Sequence, residues 1–282
     1  MTALSGQATG RIAAKFRELH MRHESALIPY IVAGDPDLDH TRRLVLEFEA
    51  CGADLIELGV PFSDPMADGP ANQRAAARGL GSGATLPAIL AMVGELRKQT
   101  QIPLILFGYF NPIFHYGCAR LCADAARAGV DGLLVVDLPP EEAAELAPHA
   151  RAAGLDIIYL LAPTTPLERG RMIAANASGF LYYVSVTGVT GARTALSADL
   201  AAKVGALRAV TDLPIGVGFG ISTPDQAREV AGFADAVVVG SAISQLLERH
   251  AKADDLVEVV GEFVGALKRA MRSVDGPARA SA

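Results

Sequence analysis

The stretch Asp131–Leu161, DGLLVVDLPPEEAAELAPHARAAGLDIIYLL, holds one full structural period of this chain. An apolar run, Gly132 to Asp137, meets a Leu-Pro-Pro turn, and an Ala/Leu-rich stretch with helical spacing follows from Glu141 to Ala152. After Gly154 a second β-rich run begins, Asp156 to Leu161. Strand, crossover helix and strand make a βαβ unit, because parallel strands can be joined only by a connection long enough to return the chain to the same end of the sheet.

Read outward in both directions, the same alternation recurs. Further apolar runs lie at Leu27 to Val32, Asp54 to Leu58, Ile102 to Phe107, Phe180 to Ser185, Pro214 to Gly218 and Ala236 to Gly240, which makes eight in all. Helical spacing fills the gaps at His40 to Ala50, Leu86 to Gln99, Tyr116 to Ala128, Ser197 to Val210, Pro224 to Ala231 and Ala242 to Arg249. Asp39 and Ser197 are candidate N-caps, and Pro224 follows Thr223 at a first helical position. Eight such units predict an α/β fold, a TIM (β/α)8 barrel; an open doubly wound sheet usually has fewer strands and switches their order. Extra helices are expected at Arg11 to Met21, after strand 2 at Ala71 to Arg78, and at Leu256 to Met271. The expectation is one barrel domain over residues 1–282, with frayed tails at 1–9 and 273–282.

Composition narrows the function. Lys and Arg number 25 against 31 Asp and Glu, and 25 − 31 gives a net charge of −6, which disfavours a binder of nucleic acid. Hydrophobic residues at 51% and charged residues at 20% suit a large buried core and argue against disorder. No run approaches the roughly 18 apolar residues of a membrane span, and Met1 to Arg22 carries charges where a signal peptide is apolar, so a cytoplasmic location is expected. Cys51, Cys118 and Cys122 are too few for a disulfide framework, and the scattered histidines show no zinc-binding spacing. No metal is expected.

Barrel chemistry sits at the C-terminal ends of the strands. In Ala53-Asp54-Leu55-Ile56-Glu57-Leu58-Gly59, period-two alternation places Leu55, Glu57 and Gly59 on one face and Ile56 and Leu58 on the other. If the latter pack against helices, Glu57 points into an apolar barrel, where burial should raise its pKa toward the range useful for proton transfer. The alternative is a structural carboxyl bonded to a neighbouring strand. Asp68 follows in the proline-bearing loop Val60 to Pro70; it reads either as the second member of an acid/base pair or as a turn or N-cap residue. Glycines cluster where strands 6, 7 and 8 end: Gly188, Gly191, Gly216, Gly218, Gly220 and Gly240. They fit a phosphate site of backbone N–H groups at a helix start, or ordinary tight turns. Arg193 is placed to assist or to face solvent.

The run Leu55-Ile56-Glu57-Leu58-Gly59-Val60-Pro61-Phe62-Ser63-Asp64-Pro65-Met66-Ala67-Asp68-Gly69-Pro70 resembles the signature of the tryptophan synthase alpha chain family. Supporting matches are Pro29 to Pro36, Asn111-Pro112-Ile113-Phe114, Gly188 to Ala192, Gly218 to Ser222 and Gly240 to Ile243, in the family's order along nearly the whole chain. The resemblance implies retro-aldol cleavage of indole-3-glycerol phosphate. Glu57 would move protons at indole C3 and the glycerol hydroxyl, and Asp68 would stabilise charge at the indole N–H. It further implies that Tyr182 lies near Glu57, that Tyr30, Phe107 and Leu134 line the indole pocket, and that Phe219 also contacts substrate. Gly191, Gly220, Gly240 and Ser241 would hold phosphate. Thr190 would belong to a loop closing over Asp68, and Asp137 would stand behind the reacting groups.

No cofactor is implied in this chain. The family pairs with a beta chain carrying pyridoxal phosphate in an α2β2 complex that passes indole between subunits, with Pro61, Asp64, Asn111, Pro112, Ile113 and Phe114 implied at the contact. Competing readings are another phosphate-binding barrel, a silent barrel that activates a partner, and a stand-alone lyase.

Overall fold

Eight short strands pair in parallel and in sequence order until the last meets the first, closing a barrel. They are β1 Ala26–Val32, β2 Ile56–Gly59, β3 Leu104–Gly108, β4 Gly132–Val135, β5 Asp156–Leu161, β6 Leu181–Val184, β7 Ile215–Gly218 and β8 Ala236–Val239. The computed structural model describes residues 10–185, 193–218, 220–274 and 276–277, with backbone alone over 193–198. Outside the strands run α1 Arg11–Met21, α2 Leu38–Ala50, α3 Pro70–Gly81, α4 Leu86–Leu96, α5 Phe110–Tyr116, α6 Cys118–Ala128, α7 Ala147–Ala152, α8 Leu167–Asn176, α9 Arg193–Arg208, α10 Pro224–Ala231, α11 Ser241–His250 and α12 Leu256–Met271. All three expected extra helices are present, as α1, α3 and α12. Among the described residues no single helix is long and apolar enough to cross a membrane.

Several local expectations are corrected. The helix expected over Glu141 to Ala152 is a 3-10 turn, Pro140–Glu145, followed by α7. Pro148 has no N–H for the carbonyl four residues back and its ring crowds that carbonyl, so one helix cannot run through. The helix expected over Tyr116 to Ala128 is divided at Gly117, whose φ of 93° no α-helix tolerates, and Asn111 to Phe114, implied at a partner contact, lie in the preceding helix α5. Helix α2 is capped by Asp37, whose side chain accepts from His40 N at 2.8 Å, and Asp39 lies in the first turn instead. Ser197 is inside α9 rather than before it. Thr223 caps α10 in a reciprocal capping box with Gln226. At the expected C-terminal tail, Val274 packs against the core and Gly276 N donates to His23 O at 2.7 Å.

The alternation of each strand divides the core in two. Ile31, Ile56, Leu58, Leu106 and Leu133 face outward into the layer beneath the helices. Ile28, Leu55, Ile105, Leu134, Ile158 and Val238 face inward. Helix α1 closes the N-terminal mouth: Ile12, Phe16 and Leu19 join the inner layer, with Phe16 against Phe180 at 5.8 Å between ring centres.

At that same end the strands are tied in pairs. Asp54, just before β2, accepts from Leu27 N of β1 at 2.8 Å; Asp131, before β4, accepts from Leu104 N of β3 at 2.8 Å; Asp235, before β8, accepts from Ile215 N of β7 at 2.7 Å. Ser178, before β6, does the same for Ile157 N of β5 at 2.9 Å. Each aspartate also has a cation: Lys268 on Asp54 at 2.8 Å, Arg97 and Arg11 on Asp131 at 2.7 and 2.9 Å, and Arg208 on Asp235 at 3.0 Å.

Candidate active site

Strand β2 delivers Glu57 into the barrel, as its alternation requires: Ile56 and Leu58 are in the outer layer and Leu55 is in the inner one. Glu57 is fully buried, paired in register with Tyr30 on β1 and Ile105 on β3. Among the described residues neither of its carboxyl oxygens has a hydrogen-bond partner. Among the described residues the only other such buried side-chain atom is the Tyr183 hydroxyl, on a strand position that faces the outer layer. The structural alternative, a carboxyl bonded to a neighbouring strand, is therefore not what the described residues contain. With nothing offsetting the loss of water, burial pushes the Glu57 pKa up to about 8. At neutral pH it is a carboxylic acid with a proton to give.

Two tyrosines border this group. Tyr30 and Tyr182 are buried, and burial first, then the nearby charges of Asp68 and Glu57, lifts both phenols well above their ordinary range. They remain O–H donors. Glycines make room for their rings: a Cβ on Gly59 would stand 2.5 Å from the Tyr30 hydroxyl, and one on Gly218 would overlap the Tyr182 hydroxyl. Phe107 meets Tyr30 edge-on at 4.9 Å, and Leu134 lies beside Phe107 in register. Of the residues implied for the indole pocket, Tyr30 and Phe107 border the open cleft, and Leu134 and Tyr182 belong to the inner layer and not to its wall.

Asp68 is half-buried above this layer. Tyr109, immediately after β3, donates its phenol O–H to Asp68 Oδ2 at 2.8 Å and accepts from Ala67 N at 3.0 Å, fixing the loop as well as the carboxylate. Gln73 Nε2 donates to the Asp68 carbonyl at 2.9 Å. Burial raises the Asp68 pKa while the donors Tyr109 and Asn72 oppose the rise. Asp137 accepts from Phe110 N at 2.7 Å and so holds the backbone that carries Tyr109. A small cleft opens here, lined by Tyr30, Pro61, Phe62, Asp68, Phe107 and Tyr109. Glu57 is absent from its wall and lies one layer deeper.

Sequence reasoning missed Tyr109 and Asn72. Tyr109 carried a signal, since it lies two residues beyond Phe107 and shares its inward face by alternation. Asn72 carried none beyond proximity to Asp68.

On the opposite side of the mouth, Gly220 has φ +79° and Gly240 is the N-cap of α11 with no side-chain cap. The contrast with α10, whose head is closed by Thr223 and Gln226, leaves the first turn of α11 from Ser241 free of side-chain competition for an anion. Thr190, Gly191 and Phe219 lie outside the described residues, as does the side chain of Arg193. Among the described residues no group of three or more His, Cys, Asp and Glu could hold a metal ion.

The residues implied at a partner contact divide. Pro61 and Ile113 are buried, the first lining the cleft and the second in the outer core, because helix α5 turns Ile113 toward the barrel. Asp64, Asn111 and Phe114 are exposed, Phe114 at 58%, and Pro112 is half-buried. Met66, in the Asp68 loop, is 91% exposed.

A sequence profile described as tryptophan synthase alpha chain matches residues 16–272. The chain belongs to this family. A tryptophan synthase alpha chain of Geobacter sp. (strain M21) is 59% identical over 259 residues, covering 92% of this chain and 97% of the relative. That of Gluconacetobacter diazotrophicus is 52% identical, covering 93% and 98%. Subunit alpha of tryptophan synthase from Legionella pneumophila, a crystal structure, superposes with a TM-score of 0.88 at 39% identity, covering 95% of this chain and all of that one. Membership of the tryptophan synthase alpha chain family makes the barrel a lyase of tryptophan biosynthesis and one component of a larger synthase.

Proposed function

We propose that Glu57 and Asp68 perform the acid/base work of the family's reaction, the cleavage of indole-3-glycerol phosphate to indole and glyceraldehyde 3-phosphate. The observation that carries this reading is a carboxyl with both oxygens buried and unpartnered among the described residues, one layer beneath a second carboxyl that accepts from Tyr109. Protonated Glu57 gives its proton to indole C3, which interrupts the aromaticity that protects the C–C bond. The electron pair of the breaking bond between C3 and the glycerol carbon returns to the ring, and the hydroxyl on that carbon becomes the aldehyde as its proton passes to the Glu57 carboxylate. One proton leaves Glu57 and one returns. Asp68, ionised, accepts from the indole N–H as positive charge develops there. Tyr30, Phe107, Leu134 and Tyr182 hold the ring; Gly220, Gly240 and Ser241 hold the phosphate, joined in this reading by Gly191, Thr190 and Phe219. A positioned acid or base contributes roughly 10²–10⁴-fold.

The reading needs no cofactor in this chain. A beta chain carrying pyridoxal phosphate would receive the indole in an α2β2 complex, docked where Asp64, Asn111 and Phe114, with Met66, present exposed polar and apolar surface. A phosphate ester cannot cross a bilayer unaided, which suits a cytoplasmic enzyme.

Indole release from indole-3-glycerol phosphate, measured with and without a tryptophan synthase beta chain, tests the proposal. Slow release that rises with the partner and is lost in folded Glu57→Gln is expected. Near-normal turnover in that variant overturns the role of Glu57, and full activity without any response to the partner overturns the coupled complex.

A further inference from the structure

Strand β1 places Tyr30 in register with Glu57, and its ring leans toward the open end of the barrel. A Cβ on Gly59 would stand 2.5 Å from the Tyr30 hydroxyl, and Gly59 is the next inward position of β2 after Glu57. The hydroxyl is therefore held one layer above the acid, on the side from which substrate arrives. The root of the same side chain borders the head of α11: a Cβ on Gly240 would meet Tyr30 Cδ1 at 3.1 Å and Tyr30 Cβ at 3.4 Å. Phe107 packs edge-on against the ring at 4.9 Å. One residue thus spans from the Gly240–Ser241 turn to the wall above Glu57.

The hydroxyl has no partner of its own. Its acidity is set by burial and by the charges of Asp68 and Glu57, with no hydrogen bond contributing. Among the described residues the sealed and unpartnered side-chain atoms are those of Glu57 and Tyr183, so the Tyr30 oxygen, on a residue only 7% exposed, keeps an opening. Tyr30 lines the cleft and Tyr182 does not. A buried donor left without a partner destabilises a fold, and it persists where a ligand atom completes it.

We propose that the Tyr30 hydroxyl is a catalytic donor to the oxygen on the reacting glycerol carbon. The proposal rests on the reading of Glu57 as the acid/base and of the Gly240–Ser241 turn as the phosphate cradle. A three-carbon chain anchored by its phosphate at that turn and cut beside Glu57 runs along Tyr30. As the C–C bond breaks, the hydroxyl on the reacting carbon gives its proton to the Glu57 carboxylate and its oxygen becomes the aldehyde carbonyl. Negative charge gathers on that oxygen as the proton leaves, and an O–H already aimed at it stabilises the charge without reorganisation. Tyr30 keeps its own proton throughout; the proton that moves at this oxygen is the substrate's.

Tyr30→Phe removes the O–H and keeps the ring. Two ligands read it: indole-3-glycerol phosphate, and indole-3-propyl phosphate, which has the same ring, chain length and phosphate without the glycerol hydroxyls. For indole release kcat should fall about tenfold to a hundredfold with KM within about threefold, the range for one donor to an oxygen that gains charge. Affinity for indole-3-propyl phosphate should stay within about twofold, because that ligand offers the hydroxyl nothing to meet. Release within about twofold of wild type overturns the donor. So does a loss of propyl phosphate affinity as large as the loss in kcat/KM, which would make Tyr30 a packing group. Glu57→Gln, run beside it, separates the two readings. If that variant is silent and Tyr30→Phe is as fast as wild type, the donor alone falls; if Glu57→Gln releases indole at the wild-type rate, the acid and the donor fall together. Wild type that binds no indole-3-propyl phosphate removes the cradle that sets the path past Tyr30, and overturns the proposal with it.

Discussion

Asp54 and Glu57 are three residues apart at and on the same strand, both are buried, and their surroundings are opposite. Asp54 is at the closed end of the barrel with Lys268 at 2.8 Å and the Leu27 N–H at 2.8 Å. Glu57 is toward the open end with no partner among the described residues. A paired buried carboxylate ties strands together. An unpaired one weakens the fold wherever it must ionise, and it persists where its proton is useful. The other aspartates at the closed end, Asp131 and Asp235, follow the Asp54 pattern, each with a cation and a strand N–H.

The contrast is broken most severely by removing the acid. Glu57→Gln should lose roughly 10²–10⁴-fold in indole release without loss of thermal stability; a variant that melts earlier than wild type would make Glu57 a structural group. The second effect is a pH dependence. The folded pKa of about 8 lies above the ordinary 4.5, so Glu57 costs nothing below about 4.5, where both states are protonated. The cost grows as pH rises and levels off above about 8, at roughly 5 kcal/mol. Urea titrations across this window should show stability falling with pH more steeply in wild type than in Glu57→Gln. Parallel curves would mean that Glu57 is not protonated in the folded chain.

At the other end, Lys268→Met should destabilise by about 3–5 kcal/mol, because it strands Asp54 as a buried charge. The fraction still folded should keep kcat within about twofold, and a large kcat loss there would show that the closed end also serves the chemistry. The smallest effect sharpens the comparison within the open end. Tyr109→Phe removes one donor from Asp68 and lets the Ala67 loop loosen, so kcat should drop about tenfold. The acidic limb of the pH–rate profile should move to higher pH, because that donor holds the Asp68 pKa down. An unmoved limb would assign the Tyr109 bond to loop folding alone.

What could be read before the structure and what could not has a common cause. Glu57 was legible because alternation along a strand is geometric: once Ile56 and Leu58 are outward, Glu57 has no other direction. The eight units were legible for the same reason, since period and turn residues are local. Tyr109 as the donor to Asp68 was not, because 41 residues separate the two and only barrel closure brings them together. Nor was Ile113: it and its apolar neighbour Phe114 were both implied at the partner contact, yet α5 turns one inward and leaves the other 58% exposed. Pro148 did carry a break signal within an otherwise helical stretch, but the Ala/Leu spacing around it spoke louder.

Helix α1 seats Ile12, Phe16 and Leu19 across the bottom of the barrel. Among the described residues the vessel therefore has a floor, and traffic is left to the opposite rim. What enters and what leaves share that rim, so a departing fragment competes there with the next arrival. An enzyme of this shape gains most from a neighbour at its doorstep that carries the fragment away.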